Sequence, residues 1–146
     1  LLELAKRVVA EFAPIADDRH LDLGLLPSDA VIVAGDPGEL RALLGNLVEN
    51  ALRYTPAGGR VDVQAQRTAD EAVLTVSDTG PGIPVAERTR VFDRFYRGAD
   101  ANTPGSGLGL AIVQRIAGRC RASICLEDAE PDRGLRVIVR WPVIAG

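Results

Sequence analysis

One histidine, His20, and two cysteines, Cys120 and Cys125, are all the imidazole and thiol chemistry that this 146-residue sequence carries. A lone histidine beside Arg19 has no partner for a triad or a metal cluster, so no catalytic role is expected of it. Two cysteines with no second Cys or His pair nearby argue against a zinc site and against a disulfide scaffold, and they suit a reducing cytoplasm. No apolar run approaches the roughly 20 residues needed to cross a bilayer. Excess positive charge is also missing: the net charge of −3 gives no support to a nucleic-acid partner, although Arg53, Arg88, Arg90, Arg94 and Arg97 could form a local basic rim. The chain opens on Leu1 without a methionine. Leu1–Ala16 places Glu3, Lys6, Arg7 and Glu11 among apolar positions, which is an amphipathic helix and no signal peptide. One domain, residues 1–146, excised from a longer protein is therefore expected. A hydrophobic content of 47% with 25% charged residues is ordinary for a globular chain, and this length can bury about two-thirds of its unfolded surface.

In chain order, Pro14 to Asp18 should break the first helix, and His20–Leu25 alternates as a half-buried strand does. Pro27-Ser28-Asp29 reads as a turn and Val31-Ile32-Val33-Ala34 as a short strand. Asp36 is placed as an N-cap with Pro37 in the first turn of a helix running to Tyr54. Thr55–Gly59 ends that helix. Arg60–Gln66 and Ala72–Asp78 alternate strictly about a turn at Ala69-Asp70, which predicts an antiparallel hairpin. Pro84–Phe92 suits one or two helical turns, Tyr96–Ser106 a mobile loop, and Leu108–Cys120 a third long helix. Ser123–Glu127 and Leu135–Trp141 form a second hairpin around Pro131–Gly134. No repeat or linker interrupts the series. The pattern predicts an α/β sandwich: one mixed, largely antiparallel sheet with helices on one face.

Four segments carry chemistry. In the Pro37–Tyr54 helix, Leu40, Leu43, Leu44, Leu47, Val48 and Ala51 make one apolar stripe. At about 100° per residue, Asn46, Asn50 and Arg53 fall within an arc of roughly 60° away from that stripe's centre. Amide oxygens suit Mg²⁺ that leans on substrate phosphates, a guanidinium suits the phosphates themselves, and Tyr54 could face a base. Asp78-Thr79-Gly80-Pro81-Gly82-Ile83-Pro84 sets a carboxylate at a strand end before two glycines that let backbone approach a flat ligand; a carboxylate can accept from the exocyclic amine of adenine. Ile83 would wall the base. Gly105-Ser106-Gly107-Leu108-Gly109-Leu110 opens a helix and can present amides to phosphates. Its spacing and the preceding loop exclude a dinucleotide fingerprint, and no Gly-Lys-Ser/Thr follows to make a Walker loop. Phe92-Asp93-Arg94-Phe95-Tyr96-Arg97 interleaves aromatics and arginines, with Phe92 and Phe95 as anchors of a lid. Taken singly, each segment has a plainer reading: a solvated helix face, a capped turn, a flexible linker, a core turn.

Together the four resemble the catalytic, ATP-binding domain of bacterial two-component sensor histidine kinases. Asn46–Thr55 is similar to that family's N box, Asp78–Gly82 to its first glycine box, Phe92–Arg97 to its F box and Gly105–Leu110 to its second glycine box, in the family's order. The resemblance implies the Bergerat-type fold shared with DNA gyrase B and the MutL proteins. It implies ATP and Mg²⁺ as ligands, with Asn46 and Asn50 at the metal, Arg53 at the phosphates and Tyr54 against the base. It places Asp78 on the adenine amine, with Thr79, Gly80, Gly82, Ile83 and Phe95 about the nucleotide. It would likewise put Arg97 near the terminal phosphate and Gly105, Ser106, Gly107, Leu108 and Gly109 along the phosphates. Asn46, Asn50, Arg53 and Arg97 would be the catalytic set. Implied partners are the dimerising helical domain that carries the acceptor histidine and a response-regulator receiver domain, with no nucleic acid. The implied location is the cytoplasmic side of an inner-membrane sensor kinase.

Gyrase-like relatives carry a water-orienting glutamate where this chain has Asn46, and Asn cannot take a proton. Transfer to another nucleophile is then expected in preference to hydrolysis. Nothing here matches the acceptor histidine's Glu-rich helical surroundings. The rivals are a gyrase-like ATPase or anti-sigma serine kinase on the same fold, and a non-catalytic nucleotide-sensing module. Two departures from the family stand out: Cys120-Arg121-Ala122 lacks a glycine for a left-handed helix cap, and Gly134-Leu135-Arg136 replaces the more usual Gly-Thr, both expected to lie clear of the nucleotide segments.

Overall fold

The computed structural model describes residues 1–81, 109–129 and 134–142. Alternating residues of three strands, β2 (Arg60–Arg67), β3 (Glu71–Asp78) and β5 (Leu135–Pro142), turn Val61, Val63, Leu74, Val76, Val137 and Val139 into one core. Short strands β1 (Asp22–Leu25) and β4 (Ser123–Glu127) flank them, giving the order β1-β2-β3-β5-β4. The β1–β2 pair is parallel and the other three pairs are antiparallel. Helices α1 (Leu2–Asp18), α2 (Pro37–Tyr54) and α3 (Gly109–Arg119) contribute their apolar sides to that same core. Asp62, Gln64, Thr75 and Ser77, on the alternate positions, stay half-exposed on the other side of the sheet. This is the two-layer sandwich expected, with α2 at the centre of the helical layer. Trp141 is a core residue.

The start and stop signals of α2 act as read: Asp36 caps the helix by accepting from the Glu39 amide at 3.0 Å, and Pro37 sits in the first turn. Three expectations fail. Pro14 does not end α1, which runs on to Asp18. Pro14 and Ala10 are both exposed, so the carbonyl that loses its partner can bond water, and burial of Ala16 holds the last turn. His20 is not in a strand. It takes φ 57° just past α1, while the Leu21 amide donates to Ala16 and the His20 amide to Asp17, a Schellman ending without glycine. Val31–Ala34 forms no strand either. The β2 edge is already taken as far as Asp29, whose amide donates to Ala65; the Val31 carbonyl instead accepts from the Leu1 amine, and Ile32 is 74% exposed.

The same non-glycine Schellman ending closes α3. Arg121 takes φ 59°, with the Ala122 amide donating to Ala117 and the Arg121 amide to Gly118. No described helix is long and apolar enough to cross a membrane.

The burial pattern sets two expected outcomes in urea unfolding. Leu44→Ala, at a side chain with no exposed surface, should cost about 2–5 kcal/mol, whereas Ile32→Ser should change stability by no more than about 0.5 kcal/mol.

Candidate nucleotide site

The wet side of α2 is half-buried at Asn46, Asn50, Arg53 and Tyr54. Asn46 donates its Nδ2 to the Ala42 carbonyl at 2.7 Å, which commits the amide's donor end and leaves Oδ1 free to accept or to ligate. Among the described residues no hydrogen bond engages the Asn50 amide. Arg53 Nη2 pairs with Glu49 Oε1 at 2.8 Å one turn back along the helix. The expected carboxamide pair is therefore present, but the guanidinium is held by its own helix.

Asp78 ends β3 with 7% of its surface exposed. Its Oδ1 accepts from the Gly80 amide at 2.9 Å and from the Leu135 amide at 3.3 Å. Burial pushes this carboxyl up from the ordinary aspartate range, and the two amides draw it partly back. Thr79 staples the turn that follows: its Oγ1 accepts from the Arg60 amide at 2.9 Å, and its own amide donates to the Arg60 carbonyl at 3.1 Å. Gly80 then passes so close to the end of α2 that an added Cβ would lie 2.9 Å from the Tyr54 carbonyl oxygen and 3.1 Å from Asp78 Oδ1. The buried acid and the last turn of α2 are thus neighbours, and Asn50 is one turn before Tyr54.

α3 lies antiparallel beside α2. Arg119, in its last turn, pairs with Glu39 in the first turn of α2 at 2.7 Å. Gly109 stands ten residues before Arg119, and Glu49 ten residues after Glu39. At 1.5 Å per residue, about 15 Å of each helix, the first turn of α3 comes level with Glu49 and Asn50. The positive end of α3 is thereby directed towards the part of α2 that carries Asn50, which suits an anion.

Among the expected site residues, Tyr54, Asp78, Thr79 and Gly80 meet at the end of α2, Asn46, Asn50 and Arg53 share the helix leading to it, and Gly109 opens α3. Gly82, Ile83, Phe95, Arg97, Gly105, Ser106, Gly107 and Leu108 lie outside the described residues, as do the turns expected at Pro84–Phe92 and the loop at Tyr96–Ser106. A cavity of about 530 Å³ is lined by Asp78 itself together with Gly59, Asp62, Ser77, Thr79 and Ala129. None of the Asn46–Tyr54 side chains lines it, so it is not where the carboxamides and the acid face one ligand. Gly134 and Leu135 were expected to lie clear of the nucleotide segments; instead both touch Asp78. The signal for this was a glycine standing directly before an alternating strand, a mark of a positive-φ turn.

The raised acid of Asp78 has a signed consequence. A folded-state value above the unfolded one contributes stability in full below the unfolded value, and loses it as pH rises through the folded value. Asp78→Asn should therefore unfold at higher urea than the parent at pH 7, with the gap closing as pH falls through the carboxylate range, as followed by circular dichroism.

The family described as histidine kinase-, DNA gyrase B-, and HSP90-like ATPase matches residues 35–145. The chain is 45% identical over 143 residues to the sensor protein kinase PmrB of Pseudomonas aeruginosa, covering 97% of this chain and 30% of that protein. The structure of the mycobacterial sensor histidine kinase MprB superimposes with a TM-score of 0.83 at 31% identity, over 97% of both chains. Full-length ShkA in complex with AMPPNP superimposes with a TM-score of 0.83 at 27% identity, over 99% of this chain and 30% of that one. The chain thus spans about 30% of the length of PmrB. With the fold, the carboxamide helix and the buried strand-end acid in place, the chain belongs to the histidine kinase-, gyrase B- and HSP90-like ATPases, as the ATPase catalytic domain of a sensor histidine kinase.

Proposed function

We propose that residues 1–146 are one domain that binds Mg-ATP and donates the γ-phosphoryl group to a histidine on a separate helical dimerisation domain. The phosphoryl group would then pass to a response-regulator receiver domain. The single observation that carries this reading is the close approach of the Asp78–Gly80 turn to the last turn of α2, the helix that presents Asn46 and Asn50: a Cβ on Gly80 would lie 2.9 Å from the Tyr54 carbonyl oxygen.

The donor set fits magnesium. Asn46 Oδ1 is freed by the back-bond to Ala42, and Asn50 is uncommitted among the described residues. No group of three or more His, Cys, Asp or Glu able to hold a metal occurs among the described residues, so the ligands at hand are neutral carboxamides. Such ligands suit an ion that keeps waters and shares substrate phosphates. Bound Mg²⁺ supplies charge neutralisation across the phosphates. Asp78 would accept from the adenine amine through Oδ2, since both amides it receives are on Oδ1. Arg53 would exchange Glu49 for a phosphate, a stronger anion in the same reach. Gly82, Ile83, Phe95, Arg97 and Gly105–Leu108 complete the nucleotide contacts in this proposal.

Transfer is favoured over hydrolysis by two features. Asn46 stands where a hydrolase needs a base, and Glu49, about 100° round the helix from Asn50, points off the Asn46–Asn50 edge. His20 sits exposed in the ending of α1, away from any helical acceptor setting, so the acceptor belongs to another domain. ShkA, solved with AMPPNP, supports nucleotide binding, and the similarity to the sensor kinases PmrB and MprB supports a histidine-kinase setting.

Calorimetric titration with an ATP analogue tests the magnesium site. Asn50→Ala should lose at least about tenfold in affinity with Mg²⁺ present, roughly 1.4 kcal/mol, and much less without it. With γ-labelled ATP, the isolated chain should acquire no label and should label an added helical histidine domain. Label on the chain alone would sink the proposal.

A further inference from the structure

We infer that Gly134, with the amide of Leu135, is a positioning residue for the Asp78 carboxylate and through it for base selection, an inference that rests on the nucleotide reading above. Gly134 has φ 74°, and an added Cβ would stand 2.3 Å from the Asp78 carbonyl oxygen, 3.4 Å from the Asp78 carbonyl carbon and 3.1 Å from Ala129 Cβ. The next residue, Leu135, is the register partner of Asp78 and donates its amide to Oδ1 across a sequence separation of 57. Only a residue without Cβ lets β5 begin this close to the end of β3.

The contact orients a functional group. Oδ1 receives one amide from Asp78's own turn and one from the neighbouring strand, which fixes both torsions of the side chain. Oδ2 takes no hydrogen bond among the described residues and is left to face a ligand. Were the Leu135 amide to withdraw, only the Gly80 amide would hold the carboxylate, and a buried acceptor with one support can swing.

Arg136 clamps the arrangement from the other side of the sheet. Its Nη2 donates to the Ala129 carbonyl at 3.0 Å, its Nη1 to Glu127 Oε1 at 3.1 Å, and its Nε to Ser77 Oγ at 3.4 Å. The Ala129 amide in turn donates to the Gly134 carbonyl at 3.4 Å. One guanidinium therefore ties the end of β4, the start of β5 and the residue before Asp78 together, and holds Gly134 against the acid.

The test is binding of an ATP analogue and of its inosine counterpart, which lacks the exocyclic amine, to the parent chain, Gly134→Ala, Arg136→Gln and Asp78→Asn. A site built to bond that amine should prefer adenine by at least about tenfold in the parent. Gly134→Ala should lose about tenfold in adenine affinity while inosine affinity moves by less than about twofold, and Arg136→Gln, which keeps the glycine, should lose adenine preference by about threefold. A merely structural glycine would weaken both nucleotides alike, and that result overturns the inference. So does a folded Gly134→Ala with full adenine preference; if that variant does not fold, unchanged preference in Arg136→Gln overturns it instead. Asp78→Asn separates the two layers of the argument. If it leaves the preference intact, the assignment of Asp78 to the base fails and the inference with it; if it abolishes a preference that the other two variants keep, only the positioning role fails.

Discussion

Burial of one side of α2 is the constraint on which the remainder depends. Leu43, Leu44, Leu47, Val48 and Leu52 are removed from water against the sheet, and at about 1.5–3 kcal/mol for each large side chain this dominates any local propensity. With that stripe fixed, helical geometry leaves no choice about where Asn46, Asn50 and Arg53 point. The site residues on α2 are oriented by the core behind them.

A second consequence of the same packing is the company that α2 keeps. Its C-terminal turn touches Gly80, which puts the strand-end acid beside the carboxamide helix, and its N-terminal turn holds the far end of α3. Three elements distant in sequence thereby bring a buried carboxylate, two neutral amides and a helix N-terminus to one place. Each is an unfavourable thing to leave unsatisfied. A carboxylate at 7% exposure and the positive end of a helix are both sites that a ligand with an amine and phosphates would satisfy. This is the usual relation between a site and stability: the fold tolerates local cost where function needs it.

Much of this was legible beforehand, for identifiable reasons. Asp36-Pro37 and Thr55-Pro56 bracket α2 with start and stop chemistry, and strict alternation in Arg60–Gln66 and Ala72–Asp78 admits only a strand with one dry face. Where reading failed, the deciding partner was remote. Val31–Ala34 has strand composition, but the sheet edge it would need is already occupied, and composition does not report vacancies. His20 alternates properly with its successors, yet the backbone bonds that place it belong to α1. Gly134-Leu135-Arg136 reads as a departure from the family's Gly-Thr at the start of the last strand; the role of Gly134 depends on Asp78, which lies 56 positions earlier and meets it only through strand order β3-β5.

The anchorage of α3 reaches further than its position suggests. Arg119 grips Glu39, and Cys120 Sγ lies 3.0 Å from where a Cβ on Gly35 would stand, so the helix is fastened at the end away from the carboxamides. Leu110, Val113, Ile116 and Ala117 bury the rest of α3 in the core, so the helix is held along its length; a tilt of roughly 5° about its Arg119 end would still move the other end, about 15 Å away, through about 1 Å. Displacements of that size suffice to spoil in-line phosphoryl chemistry. The burial of this one apolar side thus sets the aim of the helix end that would meet the triphosphate, with the Arg119–Glu39 pair closing its far end.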